Sequence, residues 1–162
     1  MKILGIDPGT ATTGYGIIEQ KGNTLSLISF GCIKTNPKDH LAKRLEIIAL
    51  ELQKIIKKFK PDEAAVEELF FAANVKTAIA VGHARGVILL ALAKENLKVN
   101  EYTPLEVKQA LVGYGRAEKR QVQAMVKYIL KLEKPINQDD TADALAVAIC
   151  HASSRKIKSL ES

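Results

Sequence analysis

The first sixteen residues place a carboxylate at the end of a buried strand. Ile3, Leu4 and Ile6 are branched and apolar, which is typical of an interior strand, and a Pro-Gly pair follows Asp7 as a strong turn signal. We therefore expect Asp7 to lie where this strand ends. Because an unpaired buried carboxylate is costly, Asp7 needs a hydrogen-bond partner or a cation, and a divalent metal is the sharper explanation. The alternative is that Asp7 only caps the Pro-Gly turn.

Hydrophobic periodicity along the rest of the chain predicts strands and helices in alternation. Two strand-like segments joined by a hairpin loop follow the first strand, and a long amphipathic helix then runs to a proline that ends it. The order β-β-β-α-β-α-β-α indicates an α/β fold whose mixed sheet has helices on both faces. After the first strand, strands are predicted over residues 15–20, 24–34, 63–71 (running into a loop) and 97–102, and helices over residues 38–59 and 74–96, from residue 104, from the loop at 112–120 to about residue 134, and over 137–151.

Composition indicates one soluble domain in a reducing compartment. The chain has 162 residues, and we expect one domain over residues 1–155 and a basic, disordered tail over 156–162. Cys32 and Cys150 are far apart, which argues against a disulfide scaffold or a zinc site, and we expect a cytoplasmic protein. The longest apolar run, residues 87–93, is far shorter than the roughly 18 residues of a membrane span, so no membrane partner is expected. The net charge of +6 favours an anionic polymer as partner.

Acidic side chains recur at the ends of two later predicted elements. Glu67 and Glu68 end the fourth strand, and because side chains alternate along a strand they face opposite ways, which leaves open which of them joins the first carboxylate. Asp140 and Asp143 are three residues apart on the last helix, so both project from one face. The helix dipole explains Asp139 and accommodates Asp140 without any chemistry, but it does not explain Asp143.

Four carboxylates in a basic protein predict a metal site. Hard oxygen ligands suit Mg²⁺, so Asp7, one of the two glutamates and the pair at Asp140 and Asp143 form a candidate site for two ions. Two such ions, roughly 4 Å apart, can activate a water and stabilise the leaving 3′-oxygen of a phosphodiester, and this chemistry requires no histidine. The three histidines, which we expect to be structural or surface residues, are His40, His83 and His151.

Cations are clustered where a helix is predicted to begin. Arg116, Lys119 and Arg120 follow a glycine-flanked loop, and each cation in a first helical turn opposes the helix dipole by roughly 0.3 to 1 kcal/mol. They are better explained beside an anion than as isolated charges. The alternative is a solvated basic turn, because exposed charges are common.

Small residues form a stripe on the predicted helix at residues 74–96. Ala78, Gly82 and Gly86 recur every four residues, and two glycines on one helix face suggest close backbone approach. The stripe packs either against the protein's own sheet or against the same helix of a second subunit across a twofold axis.

Several of these motifs, taken in order, resemble the bacterial RuvC Holliday junction resolvase family. Each motif alone is weak, but together they extend over nearly the whole chain, from residue 2 to about residue 155. The motifs are Gly5-Ile-Asp7-Pro-Gly9-Thr, Thr13-Gly-Tyr-Gly16, Val66-Glu67 with Phe70, Gly82-His-Ala-Arg85-Gly86, Val107-Lys108-Gln109, Ala117-Glu-Lys119 and Asp140-Thr-Ala-Asp143-Ala-Leu-Ala.

The resemblance implies an RNase H-like fold with a five-stranded mixed sheet. It further implies a homodimer that makes paired symmetric nicks in four-way DNA junctions during recombination and repair, with two Mg²⁺ ions in each active site. Mn²⁺ is a possible substitute, a branch-migration motor complex is an expected partner, and no nucleotide cofactor is expected.

The resemblance also assigns individual residues. It chooses Glu67 over Glu68 and Asp140 over Asp139 as metal-binding carboxylates. Beyond these, it places two lysines in a basic catalytic groove and one phenylalanine at a base-stacking position near the junction centre. These three residues are Lys108, Lys119 and Phe70. Strand alternation leaves open which of Phe70 and Phe71 is exposed.

Two other classes of protein share parts of this pattern. An actin-like ATPase has the same strand-turn-carboxylate opening but needs two such domains, and the chain has about half the required length. A non-catalytic or RNA-processing relative would keep the fold, but the complete set of four carboxylates argues against it.

Overall fold

The computed structural model describes residues 1–68 and 75–160, with side chains up to residue 155. Within these residues the chain forms five strands and five helices, in the order predicted from the sequence. The strands are β1 (Lys2–Asp7), β2 (Thr12–Lys21), β3 (Thr24–Lys34), β4 (Glu63–Glu67) and β5 (Lys98–Tyr102), and the helices are α1 (Leu41–Phe59), α2 (Val75–Lys94), α3 (Pro104–Val112), α4 (Lys119–Ile129) and α5 (Asp139–Leu160).

The five strands form one mixed sheet in the order β3-β2-β1-β4-β5. Strands β1, β2 and β3 are antiparallel, whereas β4 is parallel to both β1 and β5. The last residue of β1, Asp7, is opposite Gly14, and the preceding Ile6 is paired with Val66 on β4. Asp7 and Glu67 each come directly after one member of this pair, so they lie side by side at the same end of the two strands.

Helices cover both faces of the sheet, as predicted. Strand alternation sends Ile3 and Ala65 into the core beneath α3, α4 and α5, and it sends Leu4 and Ala64 into the core beneath α1 and α2. All four side chains are fully buried. The prediction of a five-stranded mixed sheet between two helical layers is confirmed.

Three glycines let α5 lie directly on the sheet. A side chain at Gly14 would collide with the backbone of Asp140, and one at Gly5 would collide with the backbone of Ala144 one turn later. Gly16 makes the same kind of close approach to α5. Because Gly14 is also the residue opposite Asp7, this contact fixes the first turn of α5 over the end of β1.

Several predicted boundaries differ from those of the structure. Helix α4 ends at Ile129 instead of near residue 134, because Lys131 adopts a left-handed conformation (φ 53°) that reverses the chain. Helix α1 begins at Leu41 instead of residue 38, and His40 precedes it as the N-cap. Helix α5 continues to Leu160, past the predicted end at residue 151 and past the expected boundary between domain and tail.

Helix α2 is unusually apolar for an outer helix. By length and composition alone it qualifies as a membrane span. Its most apolar 18-residue segment has a mean hydropathy of 1.5, and only 22% of that segment is buried. In this fold one face of α2 is packed, with Ala84, Ile88 and Leu92 in the core shared with α1. The prediction that it begins at Asn74 concerns a residue outside the described part of the chain.

Candidate active site

Two of the predicted carboxylates meet at the edge of the sheet. The side chains of Asp7 and Glu67 share a hydrogen bond, because their strands are parallel neighbours that end at the same level. The turn after Asp7 is held by Thr13, whose hydroxyl donates to the carbonyl oxygen of Gly9 at 2.7 Å. Asp7 is thus paired with another acid, and the turn has a hydroxyl cap of its own.

The surroundings of Asp7 and Glu67 disfavour ionisation of their carboxyl groups. Burial is the largest cause, and together with the negative charges of Glu67, Asp143 and Asp140 it raises the pKa of Asp7 to about 8. Burial and the charge of Asp143 raise the pKa of Glu67 to about 7, against the opposing effects of its bond to Asp7 and the charges of Lys119 and Lys108. Near neutral pH the two carboxyl groups therefore share a proton.

The third carboxylate is paired with a lysine. Lys119 is the first residue of α4, and its Nζ lies 3.1 Å from Asp143 Oδ2 and 3.3 Å from Asp139 Oδ2. Burial raises the pKa of Asp143 despite the opposing effect of this lysine. Asp139 is far more exposed, at 62% against 30% for Asp143, and it also accepts a hydrogen bond from Gln123 at 2.9 Å. Asp143, unlike Asp139, therefore belongs to the half-buried carboxylate group.

The surroundings of each side chain distinguish Asp140 from Asp139 and Glu67 from Glu68. Asp140 contributes negative charge at Asp7, which places it on the side of α5 that faces the end of β1. Glu68 follows the end of β4, and its backbone N–H donates to the carbonyl oxygen of Tyr102. Glu67 is the glutamate bonded to Asp7, and its role as a metal ligand stays a prediction.

A cleft of about 190 Å³ lies between these groups and the helices α3 and α4. Lys108 of α3 and Lys119 of α4 line it together with Glu67 and Asp143, so both predicted groove lysines lie beside the carboxylates. A larger cavity, of about 530 Å³, lies near the β2–β3 hairpin, and none of the described residues that line it is acidic. The apolar residues that complete the smaller cleft are Pro104, Val107, Val122 and Ala146.

The donor set suits a hard divalent cation. Among the described residues, no three acidic, histidine or cysteine side chains lie close enough together to hold one metal ion. Asp7 is bonded to Glu67, and Asp143 is paired with Lys119. All the donors are carboxylate oxygens whose mutual repulsion and burial raise the pKa of Asp7 and Glu67. Such groups gain from a cation that replaces the shared proton, so the residues fit Mg²⁺.

The residues that are predicted to contact DNA outside the cleft include two arginines that are exposed to solvent. Arg116 in the α3–α4 turn and Arg120 in the first turn of α4 are exposed, and neither forms an ion pair within the described part of the chain. Phe70 and Phe71 lie outside the described residues, so the base-stacking role of Phe70 stays a prediction.

The small-residue stripe on α2 is only partly covered. Ala78 and Gly82 are half-buried, whereas Gly86 is exposed and has no atom within contact distance of an added side chain. Gly86 therefore does not pack against the protein's own sheet. An exposed row of apolar residues, which was not predicted from the sequence, lies beside the stripe. Its members are Val75 (73% exposed), Ile79 (56%) and Leu90 (56%).

The histidines lie away from the cleft. His83 is exposed on α2, and His40 is an N-cap, not a residue within a helix as its position suggested. His151 is buried, with Nδ1 2.8 Å from the Tyr102 hydroxyl and Nε2 2.7 Å from Glu63 Oε2. The sequence reading expected a structural role for His151 but did not find these partners, which come from strands distant in sequence.

Known proteins are similar to this chain over nearly its full length. The family model for crossover junction endodeoxyribonuclease RuvC matches residues 3–151. The RuvC endonuclease of Petrotoga mobilis is 56% identical, with 96% of each chain covered, and that of Desulforamulus reducens is 58% identical, with 94% of this chain and 93% of the relative covered.

Solved structures agree with the sequence relatives. T. thermophilus RuvC in complex with Holliday junction substrate has a TM-score of 0.93 and 36% identity, covering 98% of this chain and 96% of that one. The yeast mitochondrial Holliday junction resolvase Ydc2 has a TM-score of 0.68 at 13% identity, and so shares the fold. These matches confirm the resemblance noted in the sequence, and the chain belongs to the family of RuvC crossover junction endodeoxyribonucleases.

Proposed function

We propose that this protein cleaves four-way DNA junctions by Mg²⁺-dependent hydrolysis of a phosphodiester bond. The observation that carries the proposal is a cleft lined by Glu67, Asp143, Lys108 and Lys119. Asp7 adds a further carboxylate through its bond to Glu67. Negative charge at the centre suits metal ions, and positive charge at the rim suits the phosphates of DNA. Family membership supports the same substrate.

Each group has a distinct part in this chemistry. Asp7, Glu67, Asp140 and Asp143 would hold two Mg²⁺ ions, which would supply an activated water and stabilise negative charge on the leaving 3′-oxygen. Asp7 and Glu67 give up their shared proton on binding, so their raised pKa values make metal binding depend on pH.

The two cleft lysines bind the scissile phosphate. Lys119 is paired with Asp143, and its ammonium group can exchange that carboxylate for a phosphate oxygen when the carboxylate binds metal. Lys108 lines the cleft from α3 and lowers the pKa of Glu67 by its charge. Arg116 and Arg120 extend this positive surface along the DNA.

We further infer that the protein acts as a homodimer through α2. Gly86 and the exposed apolar row of Val75, Ile79 and Leu90 form a face that the protein's own core leaves uncovered. A twofold pairing of α2 helices would cover this face and supply two active sites for the two strands to be cut. The branch-migration motor partner rests on the family resemblance alone, and the cytoplasmic location rests on the cysteine pattern of the sequence.

A direct test compares two DNA substrates. End-labelled four-way junction and linear duplex of the same sequence are incubated with the protein, with and without Mg²⁺. We expect paired nicks in the junction only, and only with Mg²⁺. Glu63→Gln, a carboxylate change outside the cleft, is the matched control for Asp7→Asn. Cleavage of linear duplex at an equal rate, or cleavage in the absence of divalent metal, would contradict the proposal.

A further inference from the structure

The turn between α3 and α4 presents an aromatic ring that the proposed chemistry does not use. Tyr114 is 47% exposed and lies between Gly113 and Gly115. Gly113 has a φ of 89°, a conformation that residues with side chains rarely adopt, and a side chain at Gly115 would collide with Leu105. Position 113 thus needs to be glycine, and the Tyr114 ring projects between two residues without side chains.

The ring is nevertheless anchored to the N-terminal end of α4, which also carries Lys119. The Tyr114 hydroxyl donates to Gln121 Oε1 at 2.9 Å, and the same oxygen accepts the backbone N–H of Glu118 at 2.8 Å. Glu118 is the N-cap of α4, and the next residue is Lys119, which binds Asp143. Tyr114 is therefore tied to the helical turn that supplies the lysine of the cleft.

The surroundings of Tyr114 favour DNA over the protein core. Tyr114 belongs to neither buried hydrophobic cluster, so its exposed ring is not a displaced core residue. Arg116 and Arg120, both exposed, flank the same turn. A half-exposed aromatic ring, held by its hydroxyl and set among cations beside a phosphodiester cleft, is the arrangement with which proteins stack nucleobases.

We propose that Tyr114 stacks on a nucleobase of the DNA strand bound in the cleft. This inference rests on the proposed junction cleavage, because the base must be one that the junction leaves accessible. The chain supplies its own control in Tyr128, which is 78% exposed on the last turn of α4, about 13 Å along the helix axis from Lys119. Tyr128 has similar chemistry and lies farther from the cleft.

A single tryptophan can report the contact directly, since the chain has no Trp of its own. The Tyr114→Trp and Tyr128→Trp variants are each titrated with four-way junction in EDTA, which stops cleavage, and binding is followed separately by gel shift. We expect junction binding to quench the emission of the Tyr114→Trp variant strongly and to leave that of the Tyr128→Trp variant nearly unchanged. Binding without quenching at position 114, or equal quenching at both positions, would overturn the proposal.

Cleavage rates distinguish the contribution of the Tyr114 ring from that of its hydroxyl group. We expect Tyr114→Leu to cut junctions about tenfold more slowly, and Tyr114→Phe to stay within about twofold of the parent protein, as does Tyr128→Leu. A Tyr114→Phe rate as low as that of Tyr114→Leu, with unchanged melting temperatures, would overturn the stacking role. If Tyr114→Leu does not fold, the phenylalanine and tryptophan variants decide alone. Failure of the parent protein to cut junctions would refute the proposed function, whereas normal cleavage by Tyr114→Leu would refute only this inference.

Discussion

Two groups of ionisable residues share strand β4 and helix α5, but they differ in how their charges are satisfied. Glu63 at the start of β4 bonds to buried His151, which bonds in turn to Tyr102, and Arg155 lies 3.0 Å from the second carboxylate oxygen of Glu63. Glu67 at the end of the same strand bonds only to another acid among the described residues. We call the first group the Glu63 network, and we call Asp7, Glu67, Asp140 and Asp143 the carboxylate site.

The Glu63 network is complete with a neutral histidine. Burial lowers the pKa of His151, so its Nε2–H donates to Glu63 while its Nδ1 accepts from the Tyr102 hydroxyl. Every member then has a partner, and the network stabilises the fold. In the carboxylate site Lys119 pairs with Asp143, but Asp7 and Glu67 have only each other among the described residues. A bound cation would relieve their mutual repulsion. A buried acid whose neighbours carry the opposite charge stabilises the fold. A buried acid whose neighbours are also acidic indicates a site for binding a cation.

The largest expected effect comes from removing a charge at the carboxylate site. We expect Asp7→Asn and Asp143→Asn to lower junction cleavage by roughly 10³-fold or more, because each removes a metal ligand. Junction binding should persist or tighten, since the basic rim carries the affinity. Cleavage and gel-shift assays on the same preparations check this. Loss of binding together with cleavage in a folded variant would contradict the separate roles.

The opposite pattern is expected in the Glu63 network. His151→Ala leaves a cavity and removes two hydrogen bonds, so we expect a loss of about 2 to 4 kcal/mol in the free energy of unfolding, measured by urea denaturation. The fraction that remains folded should cleave junctions normally. An unchanged stability would mean that the network does not hold α5 to the sheet.

A third prediction concerns stability without metal. Asp7 has a folded pKa of about 8 against an ordinary 3.8, so its contribution to stability is fully present below pH 3.8 and is lost as the pH rises through 8. Asp7→Asn should therefore stabilise the metal-free protein, and by several kcal/mol more at pH 8 than at pH 5. Thermal melts in EDTA at both pH values test this, and added Mg²⁺ should reduce the difference. A destabilised Asp7→Asn protein at pH 8 would contradict the account.

The smallest effect sharpens the role of the cleft lysines. The charges of Lys119 and Lys108 lower the pKa of Glu67, so Lys119→Met and Lys108→Met should each move the onset of Mg²⁺-induced thermal stabilisation to higher pH. Lys127→Met on the outer part of α4 is the control. A shift to lower pH would show that the lysines do not act on Glu67 through their charge.

Much of this arrangement was predictable because it depends on local patterns. The branched residues before Asp7 and the turn after it predicted the strand end, and the spacing of Asp140 and Asp143 predicted their common helix face. Long-range pairing was not predictable from the residues alone. Which glutamate faces Asp7 depends on the register of β4 against β1, and the role of Gly14 depends on α5 crossing the strand that Gly14 belongs to.

The Glu63 network was missed for the same physical reason. Its members come from β4, β5 and α5, and each residue alone has an ordinary sequence context. The end of α4 was also misjudged, since a left-handed lysine at position 131 ended the helix without glycine or proline. Such conformations are set by tertiary packing and leave little signal in the sequence.

The central claim is that a divalent cation replaces the proton shared by Asp7 and Glu67. Isothermal titration of Mg²⁺, or of Mn²⁺ if the heat is too small, in buffers of different ionisation enthalpy measures the protons released on binding. The account predicts a net proton release near pH 7 that persists in Glu63→Gln and is lost, with most of the affinity, in Asp7→Asn. Binding with no proton release, or with the same release in Asp7→Asn, would contradict it.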